Sequence, residues 1–380
     1  MEIVLENGLN VKLNHDDFTA SIIRSKDIKG DIVIPSFVIT DSQKYVIIEI
    51  GSLSFSENKE LLTIIIPSTI KSINDSAFYQ CSELKSVTFT TPDDSHPFLS
   101  EIGNFAFADC YSLQTISPIP ETVRKIGKSA FSQCRNLNSF SFLFSSESPS
   151  QLEIIGESAF YSCQALQNIT AIPSTVKEIG DSSFSRCEQL QSIAFQSNST
   201  LEIIGKRAFS DCLNLQTISS IPSSVRFIGE SAFSKCEKLI SFSFEPNNSL
   251  EEIGKECFYG CTSIETITGF PSSIRRIQKL TFFQCSKLKT LSFNTSTQSF
   301  IERFDNSAFR DCTSLETVIS IPPTLRLIGK SCFYKCINLK SLLFRSTADH
   351  ETPQLEEIKK EAFYLCTSLS NLSMISPSLR

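Results

Sequence analysis

The chain has 380 residues, 41% hydrophobic and 20% charged, with a formal net charge of −6 and only 3 His and 2 Met. That balance argues against a nucleic-acid binder, which carries a basic surface, and the scarce histidine argues against a His-rich metal site and most His-based catalysis. No apolar run reaches the roughly 18 residues needed to span a bilayer, and MEIVLENGLNVKL lacks a basic segment followed by an apolar one, so no signal peptide is expected.

Residues 1–49 read as an N-terminal β-hairpin cap. Asn7-Gly8 separates two alternating segments, a strong hairpin signal. The segment GDIVIPSFVITDSQKYVIIEIG then ends in Ile47-x-x-Ile50-Gly51, a pattern that recurs downstream.

Residues 50–380 read as a thirteen-unit solenoid that is open or truncated at its C-terminal end. A phenylalanine column runs through Phe55, Phe78, Phe107, Phe131, Phe160, Phe184, Phe209, Phe233, Phe258, Phe282, Phe309, Phe333 and Phe363, at spacings of 23 to 30 residues. The unit is V-x-x-I-G-x-x-A-F-x-x-C-x-x-L-x-x-I, and units alternate between a short Ile-Pro linker and a longer polar loop. Such periods announce a stacked repeat in which each unit buries its core only against its neighbours. L-x-x-I-x-F predicts one short parallel strand per unit on the concave face. V-x-x-I predicts a second extended stretch on the opposite side, and A-F-x-x-C a single helical or 3₁₀ turn. The glycine four residues before most of these phenylalanines, replaced by Asn74 and Asp305, suggests a left-handed turn.

Twelve of the 14 Cys stand three residues after the phenylalanine, as small buried hydrophobes. They fit no zinc framework, and as neighbours on parallel strands they point alongside one another, which disfavours disulfides. Free thiols suit a reducing compartment.

The candidate site is the strand face. Flanking the inward apolar position are small polar residues: Thr115, Ser117, Ser139, Ser141, Asn168, Thr170, Ser192, Thr217, Ser219, Ser241, Ser243, Thr266, Thr268, Thr290 and Ser292. Two hydroxyl ladders with almost no charge suit either plain cross-strand pairing or a protein ligand, with a glycan as the second choice. Glu101, Glu153 and Glu202 read as solvated edge charges. No catalytic, cofactor-binding or metal-binding residues and no cofactor are expected. The chain ends at Leu379-Arg380 just as a further unit begins, which leaves a coil open to self-association.

The strings IGESAFYSCQALQNI, IGKRAFSDCLNLQTI and IGESAFSKCEKLISF, with IPSTVKEIG between units, resemble the BspA-like leucine-rich repeat family over residues 50–380. The resemblance implies a right-handed leucine-rich solenoid, often a surface antigen, with roles in adhesion and in binding matrix proteins and host cells. It implies no catalytic residues. Family resemblance points to the cell surface. The missing leader and the free thiols point to the cytoplasm, where the same repeat would serve as a scaffold for protein contacts.

Overall fold

A computed structural model describes residues 1–25, 27–90, 99–145, 148–293, 300–344 and 353–370. Two compact units divide the chain, Met1–Leu190 and Gln191–Arg380. The described residues contain strands and turns and no helix, and each unit is a stack of coils joined by parallel pairing.

The first unit begins with β1 (Glu2–Val4) and β2 (Asn10–Asn14), antiparallel across Asn7–Gly8, where Gly8 takes φ +83. β3 (Thr19–Ile22) pairs antiparallel with β2 and parallel with β6 (Gln43–Ile50). β4 (Gly30–Val33) pairs parallel with β7 (Leu61–Ile66), and β5 (Phe37–Thr40) folds back antiparallel on β6. Residues 1–49 therefore supply the first strand of two separate ladders. The rear ladder continues from the end of β6 through Ser72–Ile73, Glu101–Ile102, Lys125–Ile126, Ile154–Ile155 and Glu178–Ile179. On the front, β7 pairs with Ser86–Phe89, which pairs with Thr115–Ile116, and Ser139–Phe140 pairs with Asn168–Ile169. The V-x-x-I stretch thus forms a ladder of its own, as its spacing predicts.

The second unit repeats this plan with wider front strands. Ser192–Ile193 pairs with Thr217–Ile218, and Ser241–Ser243 leads a sheet through Thr266–Phe270, Thr290–Phe293, Thr317–Ile321 and Ser341–Phe344. Its rear ladder is interrupted. Ile203–Ile204, Phe227–Ile228 and Glu252–Ile253 form one run, and Arg276–Ile277 through Glu357–Ile358 form another. Among the described residues no backbone hydrogen bond joins Glu252–Ile253 to Arg276–Ile277. Side chains bridge the gap, Gln278 Nε2 donating to Glu252 Oε1 at 2.6 Å and Ser273 Oγ to the Leu250 carbonyl, and pairing resumes at Glu256 N–H to the Lys279 carbonyl.

The core is layered by column. The ladder phenylalanines from Phe55 to Phe333 are buried, Phe363 is half-buried, and the rings stack face to face along each unit, with Phe131 to Phe160 at 5.3 Å and 9°, and Phe309 to Phe333 at 5.0 Å and 3°. Phe140 and Phe242 close on this stack edge-on, a favoured aromatic geometry. Stacking is possible because every coil places its ring at the same height, so one sequence column becomes one continuous column of rings.

The A-F-x-x-C segment is not helical. Residues two before and two after the phenylalanine are left-handed, as at Ser129 (φ +53) and Gln133 (φ +62). The alternation turns every second N–H out of the coil. Ser129, Phe131 and Gln133 donate to Glu157, Ala159 and Tyr161 of the next coil, whereas Ala130, Ser132 and Cys134 donate three residues back within their own turn. Left-handed backbone costs a non-glycine residue about 1–2 kcal/mol; here the cost is offset by bonds that satisfy donors otherwise orphaned in the core.

The glycine column has a different cause from the one its sequence suggests. Gly103, Gly127 and Gly156 are not left-handed. A Cβ on Gly127 would lie 2.6 Å from the Gly103 carbonyl carbon, and one on Gly156 would lie 2.7 Å from that of Gly127. Glycine is present because the backbones of successive coils touch there.

Candidate interaction surface

The front strands turn their apolar residue inward and the residues on either side outward. In the first unit Thr115, Ser139, Asn168 and Thr170 are exposed, and Ser117 and Ser141 are half-buried. In the second, Thr217, Ser219, Ser241, Thr266, Thr268 and Ser292 are exposed, and Ser192, Ser243 and Thr290 are half-buried. Register aligns the leading column, with Ser139 opposite Asn168, Ser192 opposite Thr217, and Ser241, Thr266 and Thr290 side by side.

The trailing column is partly occupied by the fold itself. Ser117 Oγ accepts the Phe89 N–H at 3.2 Å, Thr170 Oγ1 that of Phe142 at 3.0 Å, and Ser219 Oγ that of Phe195 at 3.0 Å. Ser243 Oγ is 2.7 Å from Ser220 Oγ. These hydroxyls serve coils whose strands are short, standing in for a missing ladder carbonyl. Thr268 and Ser292 carry no such bond among the described residues.

A third column, one residue further out, escaped the sequence reading. It is Gln114, Asn138 and Gln167 in the first unit and Gln191 and Gln216 in the second, all exposed. Aligning the residue before each leading hydroxyl would have revealed it. From Glu265 onward the column becomes charged, with Lys289 to Glu265 at 2.8 Å and Lys340 to Glu316 at 2.6 Å. Lys289 holds the Glu265 carboxyl below the ordinary carboxylate range. On the rear side, Glu101 pairs with Lys125 and Glu153 with Lys177, each at 3.1 Å and open to solvent, where such pairs contribute about 0–1 kcal/mol.

The cysteine column faces inward. The thiols are free, and within each unit those of the column donate to the phenylalanine carbonyl of the preceding coil. Cys81 Sγ to Phe55 O is 3.0 Å, Cys163 to Phe131 is 3.1 Å, and Cys312 to Phe282 is 3.0 Å. In the first unit's opening coil Asn58 takes the place of cysteine. Its Nδ2 donates to the Ile28 carbonyl and its Oδ1 accepts the N–H groups of Glu60 and Leu61. Burial pushes the thiols from Cys110 to Cys187 and from Cys236 to Cys366 up, Cys261 to about 12, so these are not activated nucleophiles.

Among the described residues no group of three metal-binding side chains comes together, and no helix is long and apolar enough to cross a membrane. The final segment with Leu379 lies outside the described residues.

Parallel coils, a ring column and a glycine contact at most turns define a leucine-rich repeat solenoid. The BspA type leucine rich repeat model matches residues 48–170, 142–248, 202–304, 243–351 and 296–379, and the chain belongs to that family. No curated protein matches it. Among solved structures it is similar to a leucine rich cell surface protein from Faecalibacterium prausnitzii, at 26% identity and a TM-score of 0.52 over 92% of this chain and 96% of that one. It is also similar to a leucine-rich repeat protein from Bacteroides ovatus, at 26% identity and a TM-score of 0.57 over 90% of this chain and 94% of that one. The pneumococcal vaccine antigen PcpA shares the fold, at 20% identity and a TM-score of 0.56 over 96% of this chain and 94% of its own.

Proposed function

We propose that the chain is a non-catalytic protein-binding solenoid of the cell surface, whose front face holds an extended segment of a protein partner. The observation that carries this reading is the small-hydroxyl columns of each unit's front face, where exposed hydroxyls recur on adjacent coils. Small hydroxyls lose little rotamer entropy when a partner docks. Membership in the BspA type family and likeness to a bacterial cell surface protein support an adhesive role.

The test is surface plasmon resonance of the intact chain against purified matrix proteins. Thr217→Lys with Ser241→Lys places two charges on adjacent coils of the second unit and should weaken capture by at least about tenfold, because a buried unpaired charge is costly. Shortening the loop around Asn198 should leave capture intact. Loss through the loop and not through the lysines would assign binding to the loops. A second reading, an intracellular scaffold, is favoured by the free thiols; labelling of intact cells with a membrane-impermeant reagent separates the two.

A further inference from the structure

The break in the second unit's rear ladder is hollow. A concavity of about 570 Å³ is lined by residues from both sides of it, within the roughly 300–1,000 Å³ range of ligand pockets. Gln278 stands there in the column that Gly254 and Gly329 hold in other coils. On either side of the break each coil donates to the one before it: Glu251 to Arg226 and Gly254 to Ile228, then Glu302 to Arg275 and Asp305 to Ile277. At the break the N–H groups of Arg275 and Gln278 and the carbonyls of Glu251 and Ile253 make no such bond among the described residues. All four residues line the hollow. One coil therefore brings main-chain donors to it and the other main-chain acceptors, groups that water or a ligand must satisfy.

The charges narrow the ligand. Three carboxylates line the hollow and each is engaged: Glu251 with Arg226 at 2.6 Å, Glu302 with Arg275 at 3.0 Å, and Glu252 with the Gln278 amide at 2.6 Å. The arginines are not matched in the same way. Arg276 lies opposite Arg303 in the register of the ladder, and like charges so placed repel. Arg303 Nε reaches Asp305 at 3.3 Å, whereas Arg276 has no ion-pair partner among the described residues. Residues 266–301 hold five Lys and Arg and no Asp or Glu, so this coil offers Arg276 no counter-charge of its own. One oxyanion shared by Arg276 and Arg303 relieves the repulsion, and the guanidinium fork suits it. The lining carboxylates oppose a second negative charge. They and the two unpaired carbonyls accept from hydroxyl groups. The complement is a body rich in hydroxyls that carries one anionic group.

We propose that this hollow binds a sugar residue with a single negative charge, a carboxylate or a sulfate ester, as part of an acidic glycan. The site lies on the rear ladder and is separate from the front face assigned to a protein partner.

Isothermal titration calorimetry of the intact chain tests it with methyl β-D-glucuronide and methyl glucoside 6-sulfate, which also tells the two anionic groups apart. At least one should give saturable heat. Methyl glucoside, which lacks the charge, and inorganic sulfate and N-acetyl-aspartic acid amide, which lack the hydroxyls, should each bind at least about tenfold more weakly. Arg276→Gln should weaken the charged sugar by at least about tenfold, the loss of one charge-assisted hydrogen bond. Arg326→Gln, on the same ladder beyond the hollow, should leave binding unchanged, and circular dichroism checks that each variant is folded. No saturable heat from either charged sugar, equal binding of methyl glucoside, sulfate or the aspartate amide, or an unchanged affinity in Arg276→Gln would overturn the assignment. Thr217→Lys with Ser241→Lys should not alter sugar binding, so failure of the front-face reading and failure of this site are told apart.

Discussion

The Sγ of Cys285 lies 3.2 Å from the carbonyl oxygen of Phe258, 27 residues earlier and one coil back. The same carbonyl accepts the Cys261 N–H of its own turn at 3.1 Å, so the thiol fills a second lone pair that a backbone donor does not reach. Alanine fits this column by volume and donates nothing. Serine donates more strongly and carries a hydroxyl that is dearer to desolvate. Cysteine is small, apolar and a weak donor at once.

Burial of these thiols gives the chain an alkaline limit. The folded thiols are pushed up, Cys261 to about 12 and Cys366 to about 11, whereas unfolded thiols ionise at their ordinary value of 9.0. Above that value the unfolded state releases protons that the folded state retains, so stability is full below it and falls as the pH rises toward the folded values. The expected outcome is a melting temperature that is level near neutral pH and declines steadily above about pH 9. Thiol titration in native buffer should be slow, with the half-buried Cys366 reacting first. Rapid labelling of most thiols, or a melting temperature independent of alkaline pH, contradicts the burial account.

Phe160 touches more of the core than any loop residue. It stacks on Phe131 at 5.3 Å and on Phe184 at 5.0 Å, with Phe140 edge-on at 4.5 Å. Phe160→Ala should cost about 3–5 kcal/mol in chemical denaturation, the range for core Phe→Ala changes. Ser197 is exposed, and its replacement by alanine should cost less than about 0.5 kcal/mol. Hydrogen exchange should rise first in the coils on either side of Phe160, because coupling runs between neighbours.

Two glycines separate contact from conformation. Gly127→Ala drives a Cβ into the Gly103 backbone and should cost about 2–3 kcal/mol, as overpacking does. Gly260 is left-handed at φ +71, and its Cβ would meet nothing closer than 3.5 Å. The equivalent positions Gln284 and Lys335 are left-handed without glycine. Gly260→Ala should therefore cost about 1 kcal/mol. Equal losses at the two sites would refute the distinction.

The columns could be read in sequence because the stack turns sequence period into spatial register: Phe131, Cys134 and Leu137 recur in place, and each is buried in the structure. The reasons behind some columns were not legible. A conserved-looking glycine fits either a left-handed turn or a close approach, and only the neighbouring coil decides which. The left-handed positions hold ordinary residues such as Ser129 and Gln133, which announce nothing. A further column hides inside I-P-x-T-V. Thr122 Oγ1 donates to the Leu99 carbonyl and Thr175 Oγ1 to that of Leu152, each at 2.8 Å, contacts that join residues 23 apart. The outward face was legible as polarity. The hydroxyls it commits to the fold depend on strand lengths, and the close approach of Gly269 to the Phe244 carbonyl on one dihedral angle, none of which a pattern encodes.

The interruption between Ile253 and Ile277 has a mechanical consequence. Between these two coils the rear ladder bears none of a load that separates them, and the front strands and turns carry it. Between the coils of Thr217–Ile218 and Ser241–Ser243 the front ladder is broken instead, and the rear pairing of Ile203–Ile204 with Phe227–Ile228 carries the load. Under a peeling force the second unit should open at one of these two half-joined places, so a shear exerted by a bound partner would be released at set places rather than at random along the stack.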